Sequence, residues 1–469
     1  MNTLDLNSAK SIHFIGIGGI SMSALAEILH RNGHKVSGSD DVDSDALVRL
    51  RDLGIKVFVP NVGANITNEI HLVVYTAAVK EDNPEYAAAK EKLIPLMERA
   101  ALIGEMLVNY PQNVCVAGTH GKTTTTSIVA DIMLEAGLDP TVLIGGYMKR
   151  DGMNYRVGGS PYLALEACEY NKQFHHWHPK VGVILNIDSD HLDIYGTIDG
   201  VIESFAKFAS NIPADGHLVI NCDMPGFDTV TAHLQCNIVT FGTEGSKAGF
   251  RVGDISYMNG FPSFTIMESV RDLARIKLSL PGQYNMLNAL AAFTAAYLIG
   301  VPVEIIEAAL NNSKGVKRRF EYKGTVNGAK IYDDYAHHPT EVSSCLAAAK
   351  ARTKGGRVIC LFQPHTYSRT KMLLTEFSES FKDADHVSVL PIYPAREPFD
   401  PSISSEMLAE GISKAGTDSL FHKSFSDAQH YFLETLKPGD VFLTMGAGDV
   451  YRVGEIMVMS YTSTSEVNA

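Results

Sequence analysis

Residues 113–127, NVCVAGTHGKTTTTS, decide how the rest of the chain is read. Val114 to Ala117 is an apolar run suited to a short buried strand. Gly118-Thr119-His120-Gly121-Lys122-Thr123 then makes a glycine-bearing turn, and from Thr124 the apolar spacing is helical. A strand, a tight turn holding Gly-Lys-Thr and a helix form the arrangement that cradles nucleotide phosphates. Backbone N–H groups and the helix N-terminus face the anion, Lys122 reaches the β- and γ-phosphates, and the Thr123 hydroxyl is placed to ligate Mg²⁺. Only Thr119 and His120 separate Gly118 from Gly121, so the turn is a shortened version of the usual pattern. The plainer reading, a turn that happens to contain Gly-Lys-Thr, is disfavoured by the clean strand and helix on either side.

Working outward, 469 residues suggest about three domains, each long enough to bury a core. A composition of 45% hydrophobic and 20% charged residues is that of an ordinary soluble protein. The formal charge of -13 argues against nucleic acid or an anionic membrane surface as partner. No apolar run reaches the length of a membrane span, and Met1 to Lys10 lacks the apolar core of a signal peptide. The six cysteines are scattered without a CxxC pair, which suits free, mostly buried thiols in a reducing cytosol. The polar tail from Ser460 to Ala469 is expected to fray.

Upstream, Ser11 to Ile15 runs as a strand into Gly16-Ile17-Gly18-Gly19, a helix follows, and a second strand from His34 to Gly38 ends at Ser39-Asp40. This is the opening β-α-β of a dinucleotide-type fold. Gly16, Gly18 and Gly19 let the backbone approach a diphosphate, with Ser21 at the helix start as a further donor. Asp40 stands where a carboxylate takes a ribose hydroxyl. Ser21 occupies the third glycine position of G-x-G-x-x-G, which disfavours NAD and leaves a nucleotide diphosphate. Glycines serving only packing are the competing explanation. His71 to Ala78 reads as another strand, whose terminal loop at Thr76 is a candidate substrate wall. Tyr110 to Asn113 marks the first boundary.

Downstream, Tyr162 to Ala167 and Val181 to Ile187 read as strands of a mostly parallel sheet. They end at Glu166 and at Asp190-His191, so Thr123, Glu166 and His191 could supply metal ligands around a γ-phosphate. A lone glutamate at a strand end is usually a cap or a surface ion pair; three such features in order behind one phosphate turn shift that balance. His175-His176-Trp177-His178 reads as polar surface. Asn285 and Asn288 lie one helical turn apart at the start of an apolar helix, where amides can meet a purine edge, although capping alone would explain Asn285. Beyond Lys317-Arg318-Arg319, strands and helices alternate as a second doubly wound α/β domain, with polar loops at the strand ends around 333–339, 363–369 and 446–449.

HFIGIGGISMSALA, AGTHGKTTTT, NIDSDHLD, LPGQYNMLNALAA, KRRFE, DDYAHHPTE and FQPHTYSRT together resemble the Mur ligases, in order over nearly the whole chain. The resemblance implies three α/β domains: an N-terminal Rossmann-like UDP-sugar-binding domain (1–110), a central P-loop ATP-binding domain (111–315), and a C-terminal Rossmann-like domain (316–469) contributing to ATP and amino-acid binding. Within the family the residues look most like the branch that adds L-alanine to the lactyl carboxylate of UDP-N-acetylmuramate through an acyl phosphate. That is the first amino-acid addition of peptidoglycan precursor synthesis. ATP and Mg²⁺, with Mn²⁺ as a possible substitute, are the implied cofactors. A cytoplasmic monomer or homodimer without membrane insertion is the implied state.

Carried over position by position, the resemblance gives Lys122, His191, Arg319, His337 and Arg369 catalytic roles. It assigns Gly118, Thr119, His120, Gly121, Lys122, Thr123, Thr124, Asn285, Asn288, Arg319 and Asp334 to ATP. Gly16, Gly18, Gly19, Ser21, Asp40 and Thr76 go to the UDP-sugar, Tyr335, His337 and Arg369 to the amino acid, and Thr123, Glu166 and His191 to metal. Three departures stand out. Glu166-Ala167-Cys168-Glu169-Tyr170-Asn171 lacks two carboxylates of the family pattern, Thr366 replaces a frequent arginine, and Ser21 replaces a glycine. Lys207 lies near the distance from His191 at which some relatives place a carbamylated lysine, but the alanine-adding branch generally lacks one. The alternatives are a ligase attaching a preformed tripeptide in cell-wall recycling, a non-catalytic UDP-sugar-binding homologue and, from the first glycine loop alone, a nicotinamide dehydrogenase.

Overall fold

The computed structural model describes residues 10–353 and 355–467, by backbone alone over 462–467. The chain divides into two compact units. One comprises Met1–Arg251, Ile266–Ala274 and Asn288–Leu310, the other Val252–Thr265, Arg275–Leu287 and Asn311–Ala469.

The first sheet contains β1 (Ser11–Ile15), β2 (Lys35–Ser39), β3 (Lys56–Phe58), β4 (Leu72–Tyr75) and β5 (Leu96–Glu98), in the order β3-β2-β1-β4-β5. All its pairings are parallel. The chain reverses its winding between β2 and β4 on either side of β1, so a switch point opens at the C-terminal end of β1, where open α/β sheets take ligands. Its helices are α1 (Ile20–Arg31), α2 (Asp45–Asp52), α3 (Pro84–Glu91) and α4 (Arg99–Leu107). Ser44 caps α2 and Asn83 caps α3, the latter ahead of Pro84 in the first turn.

The second sheet has ten strands: β6 (Gln112–Ala117), β7 (Thr141–Leu143), β8 (Tyr155–Arg156), β9 (Tyr162–Glu166), β10 (Val181–Ile184), β11 (His217–Asn221), β12 (Asn237–Gly242), β13 (Phe250–Met258), β14 (Phe261–Glu268) and β15 (Arg271–Lys277). Their order is β15-β14-β13-β12-β11-β10-β6-β9-β7-β8. β6 lies between β9 and β10, parallel to both, which explains its unbroken apolar sequence. It feeds α5 (Lys122–Glu135) through the Gly118–Gly121 turn. The third sheet, in the second unit, runs β16-β17-β21-β18-β19-β20. These are β16 (Glu321–Val326), β17 (Ala329–Asp334), β18 (Val358–Phe362), β19 (His386–Val389), β20 (Ser419–Phe421) and β21 (Val441–Met445). Only β16 pairs antiparallel there.

Several sequence expectations are corrected. Trp177 is not surface: it is 2% exposed, and its Nε1–H donates to the Ala100 carbonyl at 2.9 Å. The expected fraying from Ser460 is replaced by a helix from Tyr451 through Val467, while residues 468–469 lie outside the described residues. Residues 1–9, and with them most of the signal-peptide reading, also lie outside. Cys115, Cys236, Cys345 and Cys360 are buried, Cys168 and Cys222 partly so, and all six are free. Among the described residues no helix is long and apolar enough to cross a membrane.

Candidate active site

The turn after β6 is held from one side by the end of β10. Thr119 N donates to Asn186 O at 3.1 Å, His120 N donates to Asn186 Oδ1 at 2.8 Å, and Asn186 Nδ2 returns a bond to His120 O at 3.0 Å. Thr119 Oγ1 accepts from Asp188 N, and the His120 ring meets Asp188 Oδ2 at 3.1 Å. Gly121 has φ +83°, and a Cβ there would stand 2.5 Å from Asn288 Oδ1, so both the conformation and the close approach require glycine. Thr124 is buried in the first turn of α5.

Lys122 folds back over this turn. Its ammonium donates to Gly118 O at 2.6 Å, Thr119 O at 2.9 Å and Glu169 Oε1 at 2.9 Å. Burial alone would lower its pKa, but the Glu169 carboxylate outweighs burial and holds it above its usual value. Glu169 is 3% exposed, and its second oxygen, Oε2, has no hydrogen-bond partner. An orphaned buried carboxylate oxygen beside a phosphate turn is a place for a further cation or donor. Burial, with Glu169 second, pushes the Cys168 thiol up to about 11, so it brings no charge where the family pattern has a carboxylate.

Thr123 Oγ1 donates to Glu166 Oε1 at 3.0 Å, and Glu166 Oε2 accepts from Gly145 N at 2.7 Å. Neighbouring ligands about 2.1 Å from a small octahedral cation stand about 3 Å apart. The hydroxyl–carboxylate pair therefore fits a hard divalent ion by spacing and by donor type. His191, at φ +53° at the head of a short helix, brings Nε2 to 3.9 Å from Glu169 Oε1 and its ring to 5.0 Å from that of Tyr170. The structure thus gathers Gly118 to Thr123, Glu166, His191 and Asn288 in the first unit.

The turn after β1 is the other glycine site of that unit. Gly16 N and Ile17 N both donate to Ser39 O, at 2.8 and 2.9 Å. Gly18 N donates to Asp40 Oδ2 at 2.9 Å, and a Cβ on Gly18 would stand 2.8 Å from that oxygen. Asp40 thus fastens the turn, a role the ribose reading did not include. Gly19 caps α1 without any side-chain acceptor. Thr76, at the end of β4, closes its own turn by accepting from Ala78 N and Val79 N.

In the second unit, Asp334 ends β17 with both oxygens occupied, Oδ2 by Phe320 N at 2.7 Å and Oδ1 by Ala336 N at 2.8 Å. Burial raises its pKa, although Arg319 opposes. Arg319 Nη1 lies 3.6 Å from Glu341 Oε1, and its guanidinium packs over the Tyr335 ring at 5.4 Å. Burial would lower the Arg319 pKa, but Glu341 and Asp334 raise it. His337 Nδ1 contacts Tyr335 O at 3.0 Å, and its backbone N–H donates to Glu341 Oε2 at 3.1 Å. Arg369 Nη1 is 3.3 Å from His365 Nδ1, and the His365 ring stacks on Tyr393 at 5.6 Å. Thr366 takes φ +68°, unusual for a β-branched residue. Asn285 Nδ2 donates to Pro281 O at 2.7 Å, at the start of its helix.

Sequence reasoning passed over Asn186 and Asp188, although NIDSDHLD contains them, and it left Glu169 without a role. It missed Arg99 altogether. That side chain reaches Ser21 Oγ with Nη1 at 2.5 Å and Gln173 Oε1 with Nη2. No local pattern marks it.

Residues 11–110 match the profile described as Mur ligase family, catalytic domain, residues 116–296 match Mur ligase middle domain, and residues 318–448 match Mur ligase, glutamate ligase domain. The chain is 45% identical over 459 residues to the UDP-N-acetylmuramate–L-alanine ligase of Acetivibrio thermocellus, covering 98% of this chain and 97% of that one. The crystal structure of the UDP-N-acetylmuramate-alanine ligase from Thermotoga maritima superposes with a TM-score of 0.79 at 30% identity, over 97% of this chain and 99% of that one. A murein peptide ligase from Psychrobacter arcticus superposes with 0.69 at 25% identity, over 96% and 98%.

Proposed function

Because the chain belongs to the Mur ligase family, we propose that it joins L-alanine to the lactyl carboxylate of UDP-N-acetylmuramate while ATP is cleaved to ADP and phosphate. It is an ATP-dependent carbon–nitrogen ligase of peptidoglycan precursor synthesis. The cytoplasm is its site of action, and Mg²⁺ is its metal. Its working division is 1–110 for the UDP-sugar, 111–315 for ATP, and 316–469 for the amino acid and part of the nucleotide.

The observation that carries this reading is that Lys122, bonded to Glu169, and the Thr123–Glu166 pair stand at one turn. With nucleotide bound, the Lys122 ammonium exchanges its bonds to Gly118 O and Thr119 O for β- and γ-phosphate oxygens. Thr123, Glu166 and His191 would hold Mg²⁺, which would offset the repulsion between the carboxylate and the γ-phosphate. One lactyl carboxylate oxygen attacks the γ-phosphorus, the bond to the β-bridging oxygen breaks, and ADP leaves. Arg319 steadies the charge on the transferred group. The amine nitrogen of alanine then attacks the acyl carbon, loses a proton, and phosphate departs. Tyr335, His337 and Arg369 take the amino acid, with His365 beside the Arg369 guanidinium.

Phosphate release is the test. It should require UDP-N-acetylmuramate, ATP, Mg²⁺ and L-alanine together, and a lack of dependence on L-alanine would sink the reading. Replacing L-alanine by a preformed tripeptide in the same assay separates this activity from that of a peptide ligase.

A further inference from the structure

Arg99 is the first residue of α4, directly after the C-terminal end of β5. Its side chain lies between two segments far apart in sequence. Nη1 donates to Ser21 Oγ in the first turn of α1, and Nη2 donates to Gln173 Oε1 in the segment that follows Cys168 and Glu169. Gln173 is itself 8% exposed. A guanidinium has five N–H donors, and the others on Arg99 meet no protein acceptor among the described residues. Both acceptors it does reach are neutral.

Other arginines of the fold are treated differently. Arg318 has Asp333 at 3.0 Å, Arg357 has Asp440 at 2.6 Å, and Arg31 and Arg49 share Glu27. Arg99 has no carboxylate within ion-pair distance among the described residues. Burial holds its pKa below the usual value, with only the more distant Cys168 and Glu98 opposing. It remains a cation, and a half-buried cation without a counter-ion gains when a ligand brings one. The adjoining Gly16–Ser21 turn leads into the N-terminus of α1, where Gly19 provides no side-chain cap, while the Gly18 N–H is already taken by Asp40.

We propose that Arg99 is a substrate-binding residue whose guanidinium neutralises the diphosphate of the nucleotide sugar over the Gly16–Ser21 turn, with Ser21 and Gln173 fixing its plane. This rests on the reading that the turn takes UDP-N-acetylmuramate. Planar, two-pronged donation suits two phosphate oxygens, and a lysine at this position could not make both protein bonds and a bidentate one.

The test measures binding of UDP and of uridine to the full chain by calorimetry, for the wild type, Arg99→Ala and Arg99→Lys, with melting curves to verify folding. Loss of one charged, bidentate contact should weaken UDP about 10- to 100-fold in R99A and leave uridine within about twofold. R99K should recover only part of the loss. In steady state, KM for UDP-N-acetylmuramate should rise while KM for ATP and L-alanine stay near wild type. Gln173→Leu, which frees the guanidinium plane without removing the charge, should give a smaller shift in the same direction, and it keeps the question answerable if R99A does not fold. Unchanged UDP affinity in R99A would overturn the assignment. So would a loss confined to UDP-N-acetylmuramate with UDP unaffected, which would move the guanidinium to the sugar's carboxylate. A wild type that fails to bind UDP would defeat the functional reading itself, a result distinct from either.

Discussion

Gly118–Thr123 and Gly16–Ser21 each leave the C-terminal end of a buried parallel strand and each enter the N-terminus of a helix. In the first, the cation is Lys122 inside the turn, and the protein supplies its counter-ion, Glu169, at 2.9 Å. In the second, the cation is Arg99, which reaches Ser21 from 78 positions further along the chain, and no carboxylate of the described residues faces it. A turn whose charge is already paired can stay ordered while empty. A turn whose charge is unpaired is completed by its ligand, so saturating UDP should raise the melting temperature through the second turn by mass action.

The largest effect expected from breaking this comparison is at Lys122. Lys122→Ala removes the phosphate-side charge and leaves Glu169 buried without its partner. Turnover in the phosphate-release assay should fall by about 10³-fold or more, as loss of a preorganised charge on a transferring phosphoryl group does. UDP affinity should not change, because Lys122 serves the other turn. Retained activity would mean that the in-turn lysine is not the phosphate cation.

Next are the glycines. Gly121→Ala places a side chain at φ +83° and 2.5 Å from Asn288 Oδ1. Strain and displacement of Asn288 should together cost about 3 kcal/mol of stability and raise KM for ATP. Gly19 has φ -61°, and its Cβ would stand 3.3 Å from Gly16 O. Gly19→Ala should therefore cost less than about 1 kcal/mol, and its effect should fall on UDP-N-acetylmuramate. Chemical denaturation of the two variants, with and without ligand, measures both differences. Equal costs would show that the turns share one constraint.

This asymmetry also explains what was legible in the sequence. Strand, turn and helix around Lys122 can be read locally, because their chemistry sits within a dozen residues and β6 must be apolar when buried on both faces. Asp40 and Glu166 were singled out because strand ends are where such sheets place function. Arg99 was not, since its meaning lies in contacts with Ser21 and Gln173 that only the tertiary fold creates. Trp177 was misread for a related reason. Flanking histidines make the segment look polar, while the indole N–H finds the Ala100 carbonyl on α4 and the ring enters the core. Strands such as β15 escaped because half of their residues face water, leaving no apolar run.

An arginine with its own counter-ion offers a control. Arg318 meets Asp333 at 3.0 Å. Burial nonetheless pushes the Asp333 carboxyl up to about 6 from 3.8, with Arg318 offsetting part of that rise. A folded-state pKa above the unfolded one means that the proton favours the fold. This stability is complete below about 3.8 and is lost as pH rises through about 6. Asp333→Asn should flatten the stability curve across that window by roughly 3 kcal/mol, read from denaturation midpoints at its two ends. UDP should not alter that difference, whereas it should alter any effect at Arg99. Parallel curves for variant and wild type would remove Asp333 as the titrating group.

The smallest effect tests whether the contrast is truly about charge at the turn or about looseness of the whole first sheet. Glu27, on α1 and 1% exposed, is held by Arg31 at 2.7 Å, Arg49 at 3.2 Å and the Tyr155 hydroxyl at 2.6 Å. Burial, reinforced by Glu27, raises the Tyr155 phenol, so that proton stays on the hydroxyl and donates. Tyr155→Phe deletes one of three bonds to a carboxylate that keeps two arginines, at a cost of about 1 kcal/mol. The melting temperature should drop by a few degrees with UDP affinity and KM for UDP-N-acetylmuramate unchanged, because neither Arg99 nor the turn is touched. If UDP affinity fell in step with stability, the dependence on Arg99 would reflect general loosening of α1, and the distinction between a paired and an unpaired cation would not hold.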